Sequence, residues 1–216
     1  MDERELIKSH VPIFLKYTEK YSDSKTDEKF KRILESIGNK SKVLILGCGA
    51  GREIGYLLNK GCKITAIDIS KELTDEANRR YGDKAKIMCV NALDFKTKKK
   101  FDYIIGLWAF INFIPWKKER EELMINLKNM LKKGGKIIFT IRKPENLRDW
   151  VKVFIWSLKS KEFGTVYSRG PNVSKSLARI PYHIFVNNRE IKELGAMAGL
   201  KIEIKKECVE FKKKLK

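Results

Sequence analysis

Apolar residues in this chain fall into short blocks of strand length, and the segments between them repeat their apolar positions every three or four residues. Val43-Leu44-Ile45-Leu46, Ile64-Thr65-Ala66-Ile67, Tyr103-Ile104-Ile105 and Ile137-Ile138-Phe139 show little polar alternation, the pattern of strands buried on both faces. The pattern predicts strands at 42–47, 63–68, 86–90, 101–107, 136–142 and 200–207, with helices between them. Ser70 suits the cap of a helix running to Tyr81, with Gly82 as its stop. Pro115 suits the first turn of a helix ending before Gly134-Gly135, another helix covers Asn146 to Lys161, and one more begins near Asn188. Residues 1–38 supply one or two further helices. Strands alternating with helices predict an α/β fold: a doubly wound, mostly parallel sheet with helices on both faces, in a single domain spanning 1–216. No turn residue stands between Lys201 and Phe211, so the closing strand is expected to be short or missing.

Charge adds a possible partner class to this picture. Lys and Arg number 47 against 27 Asp and Glu, a formal net charge of +20. Basic groups recur at Lys96, Lys98, Lys99 and Lys100, at Arg142, Lys143, Arg148 and Lys152, and at Lys212, Lys213 and Lys214. Such a field favours polyanions, unless it only reflects a lysine-rich background, since lysines are spread over every segment. The charged start Met1-Asp2-Glu3-Arg4-Glu5 lacks the apolar stretch of a secretory signal, and no apolar run is long enough to cross a membrane; a cytoplasmic location is expected. Cys48, Cys62, Cys89 and Cys208 are far apart and read as reduced, buried thiols. No closely paired Cys or His suggests a metal site.

The candidate chemistry centres on residues 43–51. The first strand runs straight into Gly47-Cys48-Gly49-Ala50-Gly51, and a helical pattern follows from Arg52. Glycines there let a ligand approach the backbone, and the helix start offers unpaired N–H groups. Arg52 stands where the dinucleotide fingerprint needs its last glycine, and no Gly-Lys-Ser/Thr follows, so neither the nicotinamide or flavin reading nor the phosphate-loop reading is supported. Asp68 ends the second strand about 20 residues past the turn, a place from which an acid can accept hydrogen bonds from a ribose diol.

With LGCGAGRE (Leu46 to Glu53), AIDIS (Ala66 to Ser70), Val90-Asn91-Ala92, FDYIIGLWAF (Phe101 to Phe110) and LKKGGKIIF (Leu131 to Phe139) in order over residues 40–142, the chain resembles the class I S-adenosylmethionine-dependent methyltransferases. The resemblance implies a Rossmann-like methyltransferase fold, S-adenosylmethionine as cofactor and S-adenosylhomocysteine as product. It implies that Gly47, Cys48, Gly49 and Gly51 pass under the methionine part, that Asp68 holds the ribose hydroxyls and that Ile69 lies against adenine. Asn91 and Ala92 stand where the family has Asp-Ala, and an Asn oxygen can also accept from the adenine amino group. Leu107 and Trp108 line the space beside the transferable methyl. One departure is Ile45, where the family commonly places an acid that reaches the cofactor's ammonium. The reaction expected is in-line methyl transfer to an oxygen or nitrogen acceptor, with His183 as the candidate base if one is used; His10 reads as ordinary surface.

The acceptor is less constrained. Leu107-Trp108-Ala109-Phe110 replaces the Asp/Asn-Pro-Pro-aromatic tetrad of base amine methylases, and an aromatic wall of Trp108, Phe110, Phe113 and Trp116 suits a small organic molecule. The alternatives are an RNA methyltransferase, tRNA above all, and a non-catalytic module that binds the cofactor. Residues 143–187 form the insertion expected to make a lid and acceptor wall, with Trp150, Tyr167, Arg169 and Tyr182 as candidate lining residues and Gly164 to Arg179 as a loop over the site. In its helix Leu147, Trp150, Val151, Phe154, Ile155 and Leu158 are expected to pack on the sheet, with peripheral contact to an anionic membrane as the other reading.

Overall fold

The computed structural model describes residues 28–160, 162–168 and 180–215. His10, Arg169 and most of the two further segments expected to be helix or loop, 1–27 and 169–179, lie outside the described residues. The first described helix, α1 (Glu28–Glu35), exists because Phe30, Ile33 and Leu34, with Ile37 just beyond, recur at helical spacing and are all buried.

Strands β1 (Lys42–Leu46), β2 (Lys63–Asp68), β3 (Lys86–Cys89), β4 (Phe101–Gly106) and β5 (Leu131–Phe139) pair in parallel, and β8 (Lys201–Ile204) and β9 (Val209–Lys212) close the sheet in the order β3-β2-β1-β4-β5-β9-β8. Because successive strand residues point to opposite faces, the sheet divides two cores. Val43, Ile45, Ala66, Ile105 and Ile138 face α1, α2 (Arg52–Asn59) and α3 (Lys71–Tyr81); Leu44, Leu46, Ile67, Ile104 and Ile137 face α4 (Lys117–Met130) and α6 (Asn188–Met197). This two-faced burial is what the unalternated apolar blocks encode. β1 pairs on one side with β2 and on the other with β4, so the chain order reverses there and opens a crevice beyond the carboxyl ends of these strands.

Ser70 and Gly82 cap α3 where the sequence puts them. Ser70 accepts the Leu73 N–H in its side chain, and Asn146 and Asn187 do the same for Asp149 and for Arg189 and Glu190. Pro115 stands just before the cap residue Trp116 rather than inside α4, and β5 begins at Leu131, ahead of Gly134.

Three expectations are corrected. The single strand expected at 200–207 is a hairpin: β8 turns at Lys205 to Cys208 and returns as β9, antiparallel to both β8 and β5. The closing strand is thus present, and short. The turn contains no Gly, Pro or Asn; it is held by the Lys205 N–H donating to the Cys208 carbonyl at 2.9 Å and by Lys205 Nζ on the buried Glu210 carboxylate at 2.5 Å. Cys89 is exposed, while the other three cysteines are buried, and all four are free thiols. The lid helix α5 (Leu147–Ser157) presents to solvent the six apolar residues expected to face the sheet; it packs through Asp149 and Val153 on the small antiparallel sheet of β6 (Thr165–Ser168) and β7 (Ile180–His183).

Candidate functional site

At the carboxyl end of β1 the chain makes a tight left-handed turn, with Gly47, Gly49 and Gly51 at φ of 64°, 52° and 90°. The turn is tied to β2 by the Cys48 N–H donating to the Ile67 carbonyl at 3.0 Å. A Cβ on Gly47 would stand 2.8 Å from the Phe110 ring, whereas one on Gly49 would meet nothing within 4 Å. The turn is therefore packed from below and open above its middle glycine. Asp68 braces it: Oδ2 accepts the Gly49 N–H at 2.8 Å and Oδ1 the Ser70 N–H at 3.0 Å. Burial pushes the Asp68 carboxyl above its ordinary value, against those donors.

A second carboxylate flanks the turn. Glu53, in the first turn of α2, is only 5% exposed, and its Oε1 accepts the Trp108 Nε1–H at 2.9 Å. Burial raises its pKa too, opposed by its own backbone N–H, the Trp108 donor and the Arg52 charge. The Cys48 thiol is pushed well up by burial and by the charges of Asp68 and Glu53. Two desolvated carboxylates beside an open backbone turn make a site suited to a cation.

Trp108 itself is held on several sides. It and Ala109 have left-handed φ of 55° and 59°, a conformation non-glycine residues take at a cost of about 1–3 kcal/mol each. The Ala109 N–H donates to Thr140 Oγ1 at 3.0 Å, the Phe30 ring stacks on the indole at 4.1 Å, and the Arg52 guanidinium lies 4.4 Å from its centroid. The indole remains 46% exposed. Glu53, Arg52 and Phe30 were not among the residues expected from sequence. Their link to Trp108 joins segments 55 residues or more apart for Glu53 and Phe30, and no local pattern announces it.

The remaining candidates fall into two groups. Ile69 is half-buried at the end of β2, with its carbonyl 3.6 Å from Cys89 Sγ; Asn91 Oδ1 accepts the Leu93 N–H at 3.0 Å, and Ala92 and Leu107 are buried around the same strand ends. Phe110 packs beneath the glycine turn against Phe139. The other group is the lid. Tyr182 is buried under the Arg142 guanidinium, Tyr167 lies against Trp156, and Trp150 points outward from α5.

His183 is 1% exposed, and both ring nitrogens are shielded from solvent. Nε2 lies 2.5 Å from Glu190 Oε1, which also takes Arg120 Nη2 at 3.1 Å; Arg120 Nη1 reaches the Ile114 and Pro115 carbonyls. Gly164 covers the other nitrogen: a Cβ there would be 3.2 Å from Nδ1. Burial lowers the imidazole pKa despite Glu190. Both ring nitrogens of His183, the expected base, are thus enclosed in this structure, where the side chain braces β7 against α6. Asn112 extends the brace, donating to the Arg142 and His183 carbonyls and accepting the Arg142 N–H at 2.9 Å. Among the described residues, no group of three or more His, Cys, Asp or Glu could hold a metal ion.

Comparison with known proteins agrees with this fold. Residues 43–135 match the model of a methyltransferase domain. A methyltransferase of Geobacillus sp. (strain WCH70) is 30% identical over 126 residues, 57% of this chain and 57% of that protein, so the chain spans little more than half the length of such curated relatives. Among solved structures, an S-adenosylmethionine-dependent methyltransferase from Methanosarcina mazei superposes with a TM-score of 0.71 at 21% identity, covering 86% of this chain and 98% of that one. Magnesium protoporphyrin IX methyltransferase from Synechocystis PCC 6803, with bound S-adenosylhomocysteine, gives 0.66 at 15% identity over 98% of this chain and 100% of that one. Residues 43–135 thus carry a methyltransferase domain, on a fold that the chain shares with solved S-adenosylmethionine-dependent methyltransferases.

Proposed function

We propose that this protein transfers the methyl group of S-adenosylmethionine to an oxygen or nitrogen of a small organic acceptor. The observation that carries the reading is the pair of desolvated carboxylates, half-buried Asp68 and buried Glu53, that flank the glycine turn, which is open at Gly49. S-adenosylmethionine supplies a sulfonium-activated methyl, which passes to the acceptor's lone pair as the carbon–sulfur bond breaks and its electrons leave on a neutral thioether. The chain's residues hold and orient. Asp68, already fixed by two backbone N–H groups, has lone pairs left for a ribose diol, and the Gly47 to Gly51 backbone can lie close under the methionine part. Ile45 offers no charge where the family commonly has an acid, and Glu53 supplies it from the neighbouring helix. Trp108, fixed by Glu53, Phe30 and the Thr140-anchored Ala109, forms a rigid wall at the end of β4 and helps exclude water.

An acceptor proton is released to solvent, since His183 is enclosed. Support for a small acceptor comes from the aromatic surroundings of Trp108 and from the magnesium protoporphyrin IX methyltransferase, which shares the fold. The +20 charge favours a second reading, an RNA acceptor. Methyl-labelled cofactor incubated with the full chain and cell extract, half of it pretreated with ribonuclease, separates them. Label in low-mass or lipid material supports the small acceptor, label in ribonuclease-sensitive polymer replaces it with RNA, and cofactor binding without any label transfer would leave a non-catalytic binding module.

A further inference from the structure

Helix α5 is built inside out. Its stripe of Leu147, Trp150, Val151, Phe154, Ile155 and Leu158 is 46% to 79% exposed, and Phe163 just beyond the helix is exposed as well. A soluble monomer seldom leaves a contiguous apolar patch of this kind uncovered. The helix is anchored by its opposite side: Asp149 and Val153 are buried, and Asp149 accepts from the Arg142 guanidinium at 3.5 Å and lies 3.7 Å from Lys152 Nζ. Asp149 is the only acid from Leu147 to Ser160, and it is turned inward. Along one flank of the stripe stand Arg148, Lys152 and Lys159, the first and last of them exposed. The outward surface of α5 therefore presents large apolar side chains, a tryptophan among them, and positive charge with no exposed acid.

We propose that this face docks the protein on an anionic lipid bilayer. The apolar stripe would enter the boundary between headgroups and acyl chains while Arg148, Lys152 and Lys159 meet anionic headgroups, the arrangement of an interfacial helix, and Trp150 suits that depth. Charge separates this occupant from a second copy of the chain, because the helix offers another α5 no exposed acid to pair with its cations. α5 follows β5 out of the carboxyl edge of the sheet, where the glycine turn also lies, so docking holds the site near the bilayer surface. The proposal does not depend on the identity of the acceptor.

Vesicle flotation tests it with the full chain, using phosphatidylcholine alone or mixed with phosphatidylglycerol. The wild type should float with the anionic mixture and not with phosphatidylcholine alone. Phe154→Ser with Leu158→Ser should cut the bound fraction roughly tenfold or more, because two exposed side chains of this size dominate the insertion, with no loss in melting temperature. Arg148→Glu with Lys159→Glu should abolish the preference for anionic lipid. Failure of the wild type to float with either vesicle overturns the proposal. So does undiminished flotation of the Phe154/Leu158 variant, which would assign binding to the +20 charge elsewhere, or a wild-type dimer that this variant dissociates, which would make α5 a self-contact.

Discussion

Trp108 donates its indole N–H to the buried Glu53 carboxylate at 2.9 Å, joining the strained end of β4 to the first turn of the helix that follows the glycine loop. The contact leaves a charge in a desolvated place. Between the ordinary Glu value of 4.5 and its raised folded value, the folded state holds the proton more tightly than the unfolded chain, so stability falls as pH rises through that window. Above that window the charged Glu53 carboxylate weakens the free protein and is placed to receive a cation.

Glu53→Gln keeps an oxygen for the Trp108 N–H and removes the charge. The free variant should melt at a higher temperature than wild type at neutral pH, and its affinity for S-adenosylmethionine should fall about ten- to a hundredfold, the worth of a charged hydrogen bond. Calorimetric titration and thermal melting measure both. An unchanged dissociation constant would remove Glu53 from the cofactor site.

Gly49 and Gly47 should respond differently to the same substitution. Alanine at 49 meets open space, so it adds only the left-handed backbone penalty of about 1 kcal/mol, yet its methyl projects into the proposed cofactor space. Alanine at 47 adds a clash with the Phe110 ring at 2.8 Å and should unfold the domain at a lower denaturant concentration. Urea midpoints and cofactor titration of the two variants check this. Normal cofactor affinity in a folded Gly49→Ala protein would contradict the proposed position.

The central sheet and the glycine turn were legible in the sequence because each rests on local pattern: buried parallel strands read as unbroken apolar blocks, and the Gly47, Gly49, Gly51 series is contiguous. Asp68 was legible by its spacing from that turn. Glu53 was not, since an acid in a first helical turn is ordinary and only the fold brings Trp108 to it. The β8–β9 hairpin escaped because its turn is stabilised by Lys205 and Glu210, through charges and backbone rather than turn-forming residues. α5 misled for a different reason: periodicity identifies an apolar face but does not say whether that face is turned to the core or away from it.

Ionic strength distinguishes the two acceptor classes. If the acceptor is a small neutral molecule, the apparent affinity for it should change little as salt is raised. Binding to RNA through several basic groups should fall steeply, by about a thousandfold or more over a few-fold rise in salt when six or more phosphates are met. Initial-rate measurements with each acceptor across a salt series decide this. A steep salt dependence with a purified small acceptor would contradict the proposed binding mode.

The His183 brace makes stability sensitive to acid. Burial holds the folded imidazole below its ordinary 6.5, so it stays neutral where the unfolded chain begins to take up a proton. The folded state is then fully favoured above 6.5, and that advantage shrinks as pH falls from there through the depressed folded value. Wild type should lose more stability between about pH 8 and about pH 5 than His183→Gln, whose side chain does not titrate in that range. The same variant should retain methyl transfer at neutral pH, since both nitrogens of His183 are enclosed. Urea midpoints at both pH values, with a pH–rate profile of each protein, test the two roles together. Loss of an acidic limb in the rate profile of a stably folded His183→Gln protein would return His183 to catalysis, whereas loss of the pH-dependence of stability alone identifies it as the brace that holds β7 against α6.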